Sequence, residues 1–94
     1  MIQSFKHKGL RVLWQQGNNS KLPADQIGRI ERMLEIIDAA QAVSEDFEAF
    51  PNWNIHKLAG ELKAYWSIKV NKNYRIIFRF DGLNAFELDY IDYH

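Results

Sequence analysis

The chain closes on Asp92, Tyr93 and His94. A carboxylate, a phenol and an imidazole in succession can move protons, and histidine does so best near neutral pH because its ordinary pKa lies there. His56, in the stretch NIHKL, is a second imidazole. Arg75 stands between apolar residues in YRIIFRF, where a guanidinium can fork onto a phosphate. Together these types suit acid–base work on a phosphate ester. Each also has a plainer reading. The closing residues can be a tolerated polar end, His56 a surface loop histidine, and Arg75 the partner of Glu87 or Asp89 across a sheet. His7 is assigned no role.

These side chains can meet only if a fold brings them together. Leu10, Leu13 and Trp14 fall at helical spacing and predict a helix from His7 to Gln16, ended by Gly17-Asn18-Asn19-Ser20. Ile27, Ile30, Leu34 and Ile37 predict a second helix from about Ala24 to about Ala42, antiparallel to the first. MIQSF is a short candidate strand. Residues 43–54 read as an irregular acidic stretch broken by Pro51, and Gly60 marks a turn. The period then falls to two. Residues 65–70, 74–80 and 85–94, joined by Asn71-Lys72-Asn73 and Asp81-Gly82, predict an antiparallel meander.

Alternation assigns the faces. Trp66, Ile68, Val70, Ile76, Phe78, Phe80, Phe86, Leu88 and Tyr90 form the apolar face under the helices. Ser67, Lys69, Arg75, Ile77, Arg79, Glu87, Asp89 and Tyr93 look the other way. Strict alternation sends Asp92 and His94 to the apolar side, so a site on the open face needs a terminal twist to include His94. The expected architecture is α+β, with two antiparallel helices packed on one face of a small antiparallel sheet, and residues 1–94 as a single domain.

Composition narrows the function. Formal net charge is zero, which argues against a protein that grips free nucleic acid unaided. The charge is segregated, however. Residues 1–11 hold Lys6, Lys8 and Arg11 and no acid. Residues 57–79 hold Lys57, Lys63, Lys69, Lys72, Arg75 and Arg79 against Glu61 alone, while residues 38–48 carry only acids. Such a local basic surface fits an anionic partner or a solvated sheet face. Trp53 and Tyr65 are candidates for stacking on bases, whereas Trp14 and Trp66 read as core. There is no cysteine, no glycine-rich phosphate loop, no nucleophile elbow and no zinc-binding histidine pair, and three scattered histidines predict no metal site. MIQSFKHKGLRVLW lacks the apolar core and cleavage site of a signal peptide, and no run approaches the ~20 apolar residues of a membrane span. A cytoplasmic protein is expected.

MIQSFKHKGL, IHKL, YWSIKVNKNYRIIF and IDYH, in that order from Met1 to His94, resemble the HigB-type toxins of the RelE superfamily. That family opens on M-I-x-S-F-x-H-K-G-L, carries a W-S-I-x-V-N-x-x-(W or Y)-R-I-x-F strand pair and closes on D-Y-H. The resemblance implies a RelE-like fold and the toxin of a type II toxin–antitoxin system. It implies an endoribonuclease that enters the ribosomal A site and cuts mRNA with the RNA's own 2′-hydroxyl, without metal or cofactor. The implied partners are a HigA-type antitoxin, the 70S ribosome and mRNA, with operator DNA reached only through the antitoxin and no membrane. His56, Arg75, Asp92, Tyr93 and His94 match the catalytic positions. Lys6, Lys8, Arg11, Lys57, Lys63, Lys69 and Arg79 are the cations expected to meet RNA. The family's H-P-L-K-G-(D or N)-R loop is altered here, with Ala59 and Leu62 where a lysine and an arginine stand. Weaker phosphate contacts are therefore expected. The alternative is a toxin-fold binding module that partners an antitoxin or regulator after losing catalytic strength. An RNA-binding domain acting off the ribosome fits the zero net charge poorly.

Overall fold

The computed structural model describes residues 1–92. Helix α1 spans Lys8–Gln16 and helix α2 Ile27–Ala39. Strands β1 (His56–Lys57), β2 (Trp66–Lys69), β3 (Tyr74–Asp81) and β4 (Asn84–Asp92) form one antiparallel sheet in the order β1-β2-β3-β4. The expected α+β architecture is present, with β1 added at one edge.

The helix ends follow from their caps. His7 Nδ1 accepts from the Leu10 N–H at 3.2 Å and so starts α1. Gly17 closes it in the left-handed region, φ 69°, a conformation that costs glycine little. A 3-10 turn at Ala24–Gln26 leads into α2. That helix stops three residues before the expected Ala42. Ala40 turns extended, and the Asp46 carboxylate takes the N–H groups of Gln41 at 2.7 Å and Ala42 at 3.1 Å, which would otherwise have continued the helix.

Leu10 and Leu13 of α1 and Ile30, Met33, Leu34 and Ile37 of α2 share one core with Ile68, Val70, Ile76, Phe78, Ala85 and Leu88 of the sheet. Each of these side chains apart from Ala85 contributes about 1.5–3 kcal/mol when fully buried. Phe47, from the acidic stretch, completes this core. It is fully buried, with its ring stacked on Phe78 at 6.0 Å.

The N-terminal residues run parallel to β4 as two isolated bridges, Ile2 with Ala85 and Phe5 with Leu88, rather than as a full strand. They cover the β4 edge, with Gln3 N donating to the Ala85 carbonyl at 2.7 Å. The register of β4 changes between its pairings with Ile77 and Arg79, and Glu87 sits there at φ 55°. This bulge corrects one expected face. Phe86 pairs with Arg79 on the polar side, and Ala85 takes the core position opposite Phe80.

Candidate active site

Sheet register defines the polar face. His56, Ser67, Ile77 and Asp89 form one row across all four strands. Two residues along the strands on the same face, Lys69 pairs with Arg75 and Arg75 with Ile91. Ser67 and Ile77 are buried on this side of the sheet, at 0% and 3% exposure. They form a floor, and the longer side chains around them form the rim. Ser67 Oγ has no hydrogen-bond partner among the described residues.

Lys69 and Arg75 stand directly opposite each other on neighbouring strands, so two cationic side chains rise from this face side by side. His56 lies two strands from Arg75 and two residues along. Ideal sheet spacings give roughly 12 Å between their Cα atoms, so side chains rising from one face can converge on a group between them.

The tether of His56 fixes its chemistry. Its Nδ1 lies 2.8 Å from the Asn54 carbonyl oxygen, which can only accept, so Nδ1 carries a proton. The neutral ring then presents Nε2 as an acceptor, and the cationic ring presents the same atom as an acid. Asn54 holds its carbonyl there by adopting the left-handed region, φ 50°, at the end of the Pro51–Trp53 turn.

The remaining candidates divide. The β4 ladder continues to Asp92, which pairs with Tyr74, so the last strand is paired to the end of the described residues. Asp92 is exposed and shares the parity of Ile76 and Tyr90, on the helix side of the sheet. Tyr93 and His94 lie outside the described residues. Lys57 pairs with Trp66 and lies over its ring at 5.2 Å, on the side opposite to His56. Lys63 is exposed after the Gly60–Leu62 turn, beside the exposed Leu62. Lys8 and Arg11 ride on α1.

Arg79 and Lys6 belong to a second polar cluster. Arg79 Nε donates to Glu87 Oε2, and the Tyr65 hydroxyl donates to the same oxygen at 3.1 Å. Lys6 Nζ stands 5.2 Å over the Tyr65 ring. Arg79 and then Tyr65 hold the Glu87 carboxyl below the usual glutamate range, and Tyr65 raises Lys6. On the helix side, burial pushes Tyr90 up to about 12, with Tyr74 stacked at 4.9 Å and Gln26 accepting from its hydroxyl.

A cavity of about 510 Å³ opens beside the β2–β3 turn, lined in part by Arg29, Trp53, Lys69 and Lys72. Neither Arg29 nor its place beside the β2–β3 turn was legible, because the two segments are joined only by folding. Among the described residues, no group of three or more histidines, cysteines or acids is placed to hold a metal ion. No described helix is long and apolar enough to cross a membrane.

The chain matches the family model for the RelE-like toxin of the type II toxin–antitoxin system HigB over residues 3–94. It is 43% identical to Endoribonuclease HigB of Proteus vulgaris over 94 residues, covering 100% of both chains. It is 40% identical to Toxin HigB-1 of Vibrio cholerae serotype O1 over 85 residues, 88% of each. Two solved structures share the fold. YafQ from E. coli strain BL21(DE3) gives a TM-score of 0.57 at 11% identity, over 98% of this chain and 91% of that one. The YoeB–YefM complex from Staphylococcus aureus gives 0.57 at 21% identity, over 100% of this chain and 95% of that one. An antitoxin is accordingly its expected protein partner. By a family model that spans nearly its whole length and a full-length relative at 43% identity, the chain belongs to the HigB family of RelE-like toxins of type II toxin–antitoxin systems.

Proposed function

We propose that this toxin, an endoribonuclease by its family and its full-length relative, cuts mRNA held in the A site of the 70S ribosome, using the RNA's own 2′-hydroxyl as nucleophile. The 2′-oxygen attacks the adjacent phosphorus while a base takes its proton. The P–O5′ bond breaks, and an acid protonates the departing 5′-oxygen. A 2′,3′-cyclic phosphate and a 5′-hydroxyl result, so the route needs no metal or cofactor and is closed to DNA. His94 serves as base, with Asp92 as the alternative where the strand end twists it off the helix side; His56 Nε2 serves as acid or orienter, and Tyr93 is a further proton carrier of the proposal. Arg75 carries the charge of the phosphorane-like transition state.

The observation that supports this reading best is the Lys69–Arg75 pair on the face that also bears His56. Two cations side by side on the sheet, with an imidazole of fixed tautomer on the same face, suit an anion that changes charge during reaction. Lys6, Lys8, Arg11, Lys57, Lys63, Lys69 and Arg79 supply weaker contacts to RNA, and the ribosome positions the message, which a neutral toxin needs. The partner is a HigA-type antitoxin, operator DNA is met through it, and the protein acts in the bacterial cytoplasm.

Primer extension on mRNA from cells induced to make the toxin tests the reading. Breaks inside translated frames, lost with His94→Ala, are expected. An intact message and unaffected growth would overturn it. Tight capture of an antitoxin without any cuts is the signature of a binding module instead.

A further inference from the structure

We infer that Ser67 is a catalytic residue of the cleavage, its hydroxyl donating to a non-bridging oxygen of the scissile phosphate. This deepens the cleavage reading and rests on it. Sheet order places β2 between β1 and β3. His56 pairs with Ser67 across one side of β2, and Lys69, two residues further along, pairs with Arg75 across the other. The diagonal from His56 to Arg75 therefore crosses β2 between Ser67 and Lys69. A phosphate that meets both the imidazole and the guanidinium has Ser67 beneath it.

The next residue in that row, Ile77, is apolar and buried, so the hydroxyl is the polar group of the floor. Ser67 is fully buried, and its Oγ has no hydrogen-bond partner among the described residues. A buried hydroxyl in that state has lost its hydration without replacement, which destabilises the fold and is rare in folded proteins. Alanine would fill the same place in the strand without that loss. A donor is thus held ready for an acceptor that arrives with the substrate.

The reaction brings such an acceptor. The phosphorane-like transition state carries more negative charge on its non-bridging oxygens than the diester does, and a fixed donor gains strength with that charge. Serine sets its hydroxyl with a single side-chain torsion and sits on a paired strand, so little has to be ordered when the charge develops. A nucleophilic role does not fit. The His56 ring is tethered to Asn54, and no hydrogen bond joins it to Ser67, so the hydroxyl lacks an activating base. Ser67 keeps its proton throughout, and no bond to Oγ forms or breaks.

The test is single-turnover cleavage of defined mRNA on purified programmed ribosomes, with the full chain unaltered or carrying Ser67→Ala. The saturating rate should fall about 10²-fold, with the half-saturating concentration within about twofold. The urea midpoint of the same variant should rise by about 0.5 M, because the unpaired hydroxyl is gone. A slower yet more stable variant separates a catalytic hydroxyl from a structural one, whose removal lowers both rate and midpoint. Messages with sulfur in place of one or the other non-bridging oxygen at the cleavage position supply the second readout. Sulfur is a weak acceptor, so one of the two stereoisomers should slow the unaltered toxin and slow Ser67→Ala much less. A saturating rate for Ser67→Ala within twofold of the unaltered toxin would overturn the assignment. So would a lowered urea midpoint, or the same sulfur-to-oxygen rate ratios in both proteins. If the unaltered toxin leaves ribosome-held mRNA whole, the cleavage reading fails and this role falls with it; cutting by both proteins alike removes Ser67 alone.

Discussion

His56 is defined by the atom that holds it. With Nδ1 committed to the Asn54 carbonyl, Nε2 is the atom left for proton transfer, and replacing the ring removes both tether and proton carrier. His56→Ala should lower the cleavage rate by about 10²–10⁴-fold in single-turnover assays on ribosomes. Arg75→Ala should lower it by about 10²–10³-fold, and Arg75→Lys should recover part of that loss because charge returns without the planar fork. A rate within twofold of the unaltered toxin for either alanine variant would remove that residue from the chemistry. Glu87 behaves differently, because its work is structural. Its folded carboxyl binds a proton less tightly than the unfolded chain does, since Arg79 first and Tyr65 second favour the anion. Its contribution is therefore complete above the ordinary glutamate range, near ~4.3, and is lost as pH falls through the lower folded value. Urea midpoints measured from pH 6 to pH 3 should fall more steeply for the unaltered protein than for Glu87→Gln. Parallel curves would show that the pair contributes nothing to acid stability.

At the scale of elements, the caps and the bulge decide what lies where. His7 caps α1 through Nδ1, and its ring also meets Tyr90 edge-on at 5.5 Å. His7→Ala should cost about 1 kcal/mol in denaturant unfolding, and His7→Asn should restore the cap's share of it. A loss as large for Asn as for Ala would assign the effect to the ring contact instead. Periodicity made both helices and the strands β2, β3 and β4 legible, because alternating and helical apolar spacings bury one face each. Alternation also placed Lys69 and Arg75 together and sent Asp92 to the opposite side. It misplaced Phe86, since a bulge at a non-glycine residue leaves no mark in composition. It missed β1 as well, because two residues are too few to show a period, and so it left His56 in a loop.

Across the whole molecule, the acidic stretch proves to be part of the core. Phe47 is buried against Phe78, and Trp53 leans on Phe47 at 6.3 Å. A sequence reading by local charge sees only an irregular connection there, because the partners come from β3, far along the chain. Phe47→Ala should cost about 3–5 kcal/mol, read as a shift of the denaturant midpoint, and a cost below ~1 kcal/mol would show that the segment detaches without harm. The same long-range closure brings Arg29 of α2 to the β2–β3 turn, where it lines the cavity. The tether that sets the His56 tautomer was equally hidden, since it depends on the left-handed backbone of Asn54.

The nature of the cut ends tests the central claim most directly. A message carrying a single 2′-deoxynucleotide at the cleavage position is compared on ribosomes with its all-ribose counterpart, and the fragment termini are identified. The account predicts a 2′,3′-cyclic phosphate and a 5′-hydroxyl from the ribose message, with the deoxy message left whole. A 3′-hydroxyl facing a 5′-phosphate, or equal cutting of the deoxy message, would contradict it.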